Sequence, residues 1–351
     1  MTACCSHGAP LEERCSKCTQ EALSRPVCYE TYWIAGHGCK NPELMGCACS
    51  GCAYFSCRGG RRVIDSPAFR YHGGKFRLAP WVMQFFPEHS TYVEPFGGAA
   101  GVLLRKPRSY AEVYNDLDGD VVNFFRVVRD PEERALLLDA LRTTPYAREE
   151  FEAAWEPTGD PVERARRLAI RAQMGFGSAG ATKQTTGFRI DTARAYATAM
   201  HLWGRYPEVV AEVGERFSGV LVENRPAIDV MRQHDRPDTL HFVDPPYVHA
   251  TRVMQGAGRG YYRHEMTDED HEALLTALYG LSGYVVLSGY RHPMYDQWLS
   301  NWASYETAAR VSAHRGTGLR TEVVWINPAC AEALSRGQIG LFDEQSEEAL
   351  Q

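Results

Sequence analysis

The sequence predicts a mostly parallel, doubly wound α/β fold, and three observations carry that expectation. Apolar runs of strand length alternate with helix-length amphipathic stretches between residues 91 and 327, the pattern of a parallel sheet covered by helices. The first run leads into a turn holding Gly97, Gly98 and Gly101, and the next run ends in the acid Asp116. A later run stops at two prolines in Asp244-Pro245-Pro246-Tyr247, and neither proline can donate to a strand ladder.

In chain order, residues 91–93 form the first strand, and residues 101–104 open a helix after the glycines. Glycines at such a turn let a ligand approach the backbone closely. Their spacing is not that of dinucleotide folds, and no basic residue follows in a phosphate-loop position, so a nucleoside without phosphates is the expected ligand. Residues 111–116 read as the second strand, ending about 20 residues after the glycines in an acid suited to ribose hydroxyls. Asp116 takes that role, while Asp118 and Asp120 belong to the first turn of a helix over 120–126. Residues 163–171 read as a helix with an arginine face, followed over 175–189 by a polar, glycine-rich loop with two aromatics. The run at 240–243 carries the double proline. A second loop spans 248–264, an acid-capped amphipathic helix 268–278, a buried strand 283–288, and a final strand 322–327 halted by Pro328.

The double-proline tip presents a carboxylate, a proline carbonyl and an aromatic face on a rigid chain end. That set suits a flat ring bearing an amino group. Asp244 accepts one amino hydrogen, the Pro245 carbonyl accepts the other, and Tyr247 stacks on the ring.

With those residues in view, the chain resembles the Dam-type DNA adenine-N6 methyltransferases, which use S-adenosylmethionine. The aromatic-x-Gly-Gly-Lys segment of that family is similar to Tyr71-His72-Gly73-Gly74-Lys75, and its glycine loop to the stretch from Glu94, Pro95 and Phe96 through Gly97 and Gly98 to Gly101. Its acidic strand end resembles Asn115-Asp116 and its catalytic tetrapeptide resembles Asp244, Pro245, Pro246 and Tyr247, in the same block order over residues 66–328. The resemblance implies a seven-stranded, Rossmann-like methyltransferase sheet with its last strand antiparallel. It also implies that Tyr71 and Lys75 border the cofactor together with Glu94, Pro95, Phe96, Gly97, Gly98, Gly101, Asp116 and Asp244. The implied organisation is a cofactor-binding part over 61–135, a helical and looped target-recognition insert over 136–220 and a catalytic part over 221–330.

The chemistry that follows is methylation of an adenine amino group on a base flipped out of the duplex, since that nitrogen is not reachable inside a stack. Positioning and electrostatics suffice, and no nucleophilic serine or cysteine is needed. Cytosine-N4 methylation is the nearest alternative, because the tetrapeptide accommodates either amino group. A nicotinamide-dependent oxidoreductase would share the strand–glycine–acid logic but does not explain the double proline. A catalytically dead DNA-binding module is a third reading, against which the intact tetrapeptide argues. His264 is a lesser candidate for a base.

The net charge of −6 argues mildly against a nucleic-acid partner, but its distribution matters more. Between Pro161 and Tyr206, Arg164, Arg166, Arg167, Arg171, Lys183, Arg189, Arg194 and Arg205 face only Glu163 and Asp191. A basic insert on an acidic body suits double-stranded DNA. Arg171, Lys183, Arg189, Arg252 and Tyr262 are the candidate DNA contacts, in a protein expected to act as a monomer, for restriction protection or another epigenetic mark. No apolar stretch reaches the ~18 residues a membrane span needs, and no signal peptide is evident, so a cytoplasmic location is expected.

Two terminal features stand apart. Ten of the eleven cysteines fall in residues 1–60, where Cys15-x-x-Cys18 and Cys49-x-x-Cys52 have zinc-knuckle spacing. In a reducing compartment metal is their natural use, and zinc on those four sulfurs is the simplest assignment; an iron–sulfur cluster or an extension without metal is the alternative. In the acidic tail over 331–351, Gln338-Ile339-Gly340-Leu341-Phe342 resembles the short peptides that dock on the bacterial sliding clamp.

Overall fold

Strands without apolar–polar alternation belong at the centre of a sheet covered on both faces. The run before the double proline sits there: every residue of Thr239–Val243 is buried. The computed structural model describes residues 64–181, 186–190, 192, 198–251, 262–313 and 316–336. The chain divides into two units, Met1–Asp65 and Ser66–Gln351, and the described residues lie almost wholly in the second.

Seven strands form one sheet: β1 (Thr91–Glu94), β2 (Ala111–Asn115), β3 (Leu221–Glu223), β4 (Thr239–Val243), β5 (Tyr284–Gly289), β6 (Ala303–Ala313) and β7 (Gly316–Ile326). Their spatial order is β3-β2-β1-β4-β5-β7-β6. The first five run parallel, while β7 is antiparallel to both β5 and β6. The expected sheet, with its last strand antiparallel, is thus present. Strand order reverses between β1 and β4, and in such sheets ligands bind outside the carboxyl ends of the strands at that point. Both motif loops, Pro95–Gly98 and Asp244–Tyr247, leave the sheet there.

Helices fill the connections: α1 (Ala79–Val82), α2 (Gly119–Arg129), α3 (Pro131–Thr143), α4 (Arg148–Ala153), α5 (Pro161–Met174), α6 (Ala199–Phe217), α7 (Ala227–His234), α8 (Asp268–Tyr279) and α9 (Pro293–Trp298). Local signals set their starts. Asp118 caps α2 by accepting from Asp120 N, Asp160 caps α5 with a proline in its first turn, and Thr267 with Asp270 makes a capping box on α8.

Several expectations are corrected. The helix expected over 101–104 is a pair of turns, closed by Leu104 N to Ala100 O (3.0 Å) and Lys106 N to Val102 O (2.9 Å), and Pro107 prevents its extension. The helix expected over 163–171 runs from Pro161 to Met174, because its cap and proline lie before the arginines. The final strand begins at Gly316 rather than 322, since it pairs along its whole length with β6. Strands β3 and β6 had no sequence expectation: β3 is only three residues long, and β6 is an edge strand rich in alanine and serine. Helices α5 and α6 both pack on α2 and α3, with Phe125 stacked on Phe217 at 4.3 Å.

Candidate active site

Strand β4 delivers Asp244 to the carboxyl edge of the sheet, and the lysine of the Gly-Gly-Lys segment meets it there. Lys75 Nζ lies 3.0 Å from Asp244 Oδ1 and donates to Gly73 O at 2.9 Å, with only 5% of its side chain exposed. The same ammonium sits 4.8 Å from the centre of the Tyr247 ring. Tyr247 is held from its other end: its hydroxyl donates to Glu322 Oε2 at 2.7 Å and lies 3.3 Å from both Asp244 Oδ1 and Ser288 Oγ. Tyr290 packs edge-on against the Tyr247 ring at 4.5 Å.

Burial sets the protonation balance of this tip. It pushes the Asp244 carboxyl up to about 6, helped by Glu322 and opposed by Lys75. Burial alone would lower Lys75, but the carboxylates of Asp244 and Glu322 outweigh it and hold the ammonium above its ordinary range. Lys75 is therefore charged at neutral pH, and Asp244 is mostly ionised beside it.

The glycine loop is built for internal packing as much as for ligand approach. A Cβ at Gly97 would lie 2.1 Å from the Tyr114 ring, one at Gly98 2.7 Å from the Tyr71 ring, and one at Gly101 2.6 Å from Phe76 N. Gly98 has φ +47°, and Ala100 shares the left-handed region at φ 54°. The glycines thus bring the 71–76 segment against β1 and β2. Asn115 fastens the loop, donating from Nδ2 to Pro95 O (2.8 Å) and to Arg225 O (3.0 Å). Asp116 accepts from Gly98 N and from Asp118 N, each at 2.8 Å, and burial raises its carboxyl to about 6 despite those two bonds. Glu94 faces inward: its Oε2 accepts from Tyr92 Oη (2.7 Å) and Leu103 N (3.0 Å), and burial drives it to about 8.

A cavity of about 280 Å³ opens between these parts. Tyr71, Lys75, Glu94, Pro95, Phe96, Gly97, Gly98, Gly101, Asp116 and Asp244 all line it, so every residue expected to touch the cofactor meets at one place. Pro246 lines it as well. Phe96, Ile228, Met266 and Leu274 give it apolar walls, and Asp116 and Asp118 give it an acidic side. Apolar walls with an acid at the end of β2 fit a nucleoside carrying a positively charged sulfur. Ile228, Met266 and Leu274 went unnoticed in the sequence because apolar residues on α7 and α8, or just before α8, read simply as core.

Arg263 was missed as well. It bridges Asp118 Oδ1 and Asp120 Oδ2, each at 3.0 Å, and so closes the acidic side of the cavity. So was Glu322. A lone acid opening the buried run Val323–Ile326 was the available signal for it.

The candidate DNA contacts fare differently. Arg171 is corrected: 8% exposed, it donates to Ala154 O (2.9 Å) and Asp120 Oδ2 (3.0 Å) and lies over Trp155. Buried and paired, it braces α5 against α2. Tyr262 lines the cavity, with its hydroxyl 3.5 Å from His72 O; His264 lines the cavity too. Arg189 follows Phe188, which forms a short bridge with Gly175, and its amide donates to Met174 O. Lys183, Arg252, Cys15, Cys18, Cys49, Cys52 and Gln338–Phe342 lie outside the described residues. Among the described residues no cluster of metal-ligating side chains occurs, and no helix is long and apolar enough to cross a membrane.

Comparison with known proteins bears on the same blocks. Residues 71–313 match the family described as D12 class N6 adenine-specific DNA methyltransferase. A type II methyltransferase, M1.LlaDCHI of Lactococcus lactis subsp. cremoris, is 22% identical over 284 residues, covering 74% of this chain and 95% of that protein. Among solved structures, the precorrin 8W decarboxylase of Methanobacterium thermoautotrophicum aligns with a TM-score of 0.27 at 10% identity, covering 71% of this chain and 88% of the other.

Proposed function

This chain belongs to the D12 class N6 adenine-specific DNA methyltransferases, and from that premise we propose that Asp244, Pro245, Pro246 and Tyr247 receive a flipped-out adenine beside a cavity for S-adenosylmethionine. The observation that carries the reading is the convergence of the cofactor candidates on one cavity that also contains Asp244 and Pro246. The cofactor supplies an electrophilic methyl group on a sulfonium; the rest of the work falls to this chain's own side chains.

Asp116, at the end of β2, suits ribose hydroxyls, since each of its oxygens has accepted one backbone hydrogen and retains a lone pair. Asp244 and the Pro245 carbonyl take the two amino hydrogens of the adenine. An amino nitrogen conjugated with the ring is a poor nucleophile, and accepting both hydrogens frees its lone pair for in-line attack. Lys75 pairs with Oδ1 of Asp244, leaving Oδ2 to the substrate. Lys75 keeps the carboxylate ionised, and the amino proton departs to solvent after transfer. The Tyr247 face stacks on the extruded base, which offsets part of its unstacking cost.

The substrate is DNA; likeness to a type II methyltransferase is what supports modification at a defined sequence, as in restriction protection, and a monomer acting in the cytoplasm is part of the same proposal. Lys183, Arg189 and Arg252 are the proposed DNA contacts. Zinc at Cys15, Cys18, Cys49 and Cys52 and clamp docking through Gln338–Phe342 rest on spacing and motif alone. Metal analysis of purified protein checks the first, and clamp pull-down with Leu341→Ala and Phe342→Ala checks the second.

Transfer of labelled methyl from S-adenosylmethionine to unmethylated DNA, followed by digestion to nucleosides, tests the function. N6-methyladenine is the expected product. N4-methylcytosine would reassign the base, and no labelled nucleoside would overturn the reading.

A further inference from the structure

Glu322 is an acid in a place that favours apolar residues. It stands on β7, beyond β5 from the Asp244 tip, and is 5% exposed. The residues that follow it, Val323, Val324, Trp325 and Ile326, are at most 1% exposed. Burying a carboxylate costs several kcal/mol unless it is paired, and an apolar residue of similar size often serves a core better. The partner of this carboxylate is the Tyr247 hydroxyl, at 2.7 Å.

We propose that Glu322 is a positioning residue for methyl transfer, which fixes where the Tyr247 hydroxyl donates and so keeps Asp244 available to the substrate amino group. The proposal rests on the reading of Asp244 and Tyr247 as the acceptor site. A tyrosine hydroxyl has one proton to give. Two carboxylates compete for it, Glu322 at 2.7 Å and Asp244 Oδ1 at 3.3 Å. The shorter, charge-assisted bond takes the proton. Asp244 then accepts chiefly from Lys75 and keeps its capacity for the adenine.

Without Glu322 the hydroxyl turns to Asp244, which would hold both a lysine and a tyrosine proton before the substrate arrives. The same bond fixes the ring. With its hydroxyl tied to β7, Tyr290 crossing it in a T at 4.5 Å and Lys75 4.8 Å from its ring centre, the Tyr247 plane has little freedom to tilt. A stacking platform needs that rigidity, since misplacement by about 1 Å can cost on the order of a hundredfold in rate.

The electrostatic consequence has a definite sign. Burial and then the Glu322 charge hold Asp244 at about 6. Glu322→Gln removes the charge while its amide oxygen still accepts the tyrosine proton. The acid limb of the rate–pH profile therefore moves to lower pH, with most of the rate retained.

A double-mutant cycle on single-turnover methyl transfer decides the matter, with Glu322→Ala, Tyr247→Phe and the pair. Glu322→Ala is expected to slow transfer by about tenfold to a hundredfold. In the Tyr247→Phe background the same change is expected to cost less than about threefold, since coupled residues are non-additive. Dissociation constants for S-adenosylmethionine and DNA should stay within about threefold of wild type in every variant, and Glu322→Gln should recover most of the rate. Additive costs, or an unaltered rate in Glu322→Ala, would overturn the inference while wild-type activity still upheld the function. A wild type that methylates no adenine would instead sink the functional reading and this inference with it.

Discussion

Two clusters of charge among the described residues, the Asp244 tip and helix α5, are arranged in opposite ways. At the tip, Lys75, Asp244 and Glu322 gather around one aromatic ring, and Lys75 and Asp244 open onto a cavity. On α5, the arginines satisfy acids of the same body: Arg164 and Arg171 reach Asp120, while Arg166 and Arg167 reach Glu163, and Arg166 also reaches Glu150. Asp120 further accepts from Arg263 at the cavity's rim, so three arginines meet on one carboxylate. The lesson concerns counting. Eight basic residues against two acids look like a surface for phosphate, yet four of the eight are committed to ion pairs inside the fold.

That contrast can be broken at the tip first. Replacing Lys75 with methionine leaves Asp244 beside Glu322 with no cation, and one buried carboxyl must then take a proton. Because Lys75 opposes the burial that lifts Asp244 to about 6, its loss raises that carboxyl further. The acid limb of the rate–pH profile should move to higher pH, opposite to the Glu322→Gln shift. The transfer rate at pH 7 should fall by roughly a hundredfold or more. A profile that stays in place would separate Lys75 from Asp244.

The next largest effect is expected in the loop that supports the tip. Gly98→Ala forces a side chain into φ +47° and against the Tyr71 ring. A loss of about 1–3 kcal/mol in denaturant unfolding is expected, together with weaker S-adenosylmethionine binding by calorimetry. Unchanged binding would mean that the 71–76 segment does not need this packing.

On α5 the expected signature is stability without DNA. Arg171→Ala removes one of three cations from Asp120 and should cost about 1–3 kcal/mol, below the figure for a sole partner. The salt dependence of DNA binding should keep its slope, since no phosphate contact is lost. A slope reduced by about one would return Arg171 to the interface and erase the contrast. Smallest of all, Arg142→Ala breaks an exposed pair with Asp139 (58% and 78% exposed) and should move the unfolding free energy by less than about 0.5 kcal/mol.

What could be read from the sequence divides along similar lines. The tip and the glycine loop were legible because their chemistry is written in contiguous residues at strand ends, where prolines and glycines dictate the backbone. Asn115 and Asp116 were legible as a strand end, though the role of Asn115 in tying Pro95 to Arg225 was not. Glu322 and Arg263 were hidden because their partners lie 75 and 145 residues away in the chain. Strand β6 was hidden for another reason: its alanines, serines and single tyrosine carry little alternation, and its pairing with β7 supplies the order that propensity does not. Arg171 was misjudged because a helical arginine face looks the same in sequence whether it meets solvent or a buried aspartate.

The most direct test of the account is the single-turnover rate of methyl transfer to DNA for Asp244→Asn, measured beside its affinity for S-adenosylmethionine. The substitution keeps the shape and removes the charge that receives the amino hydrogen and pairs with Lys75. The rate is expected to fall by roughly a thousandfold or more with cofactor affinity within about threefold of wild type. A variant that still transfers methyl at a rate near wild type would contradict the account.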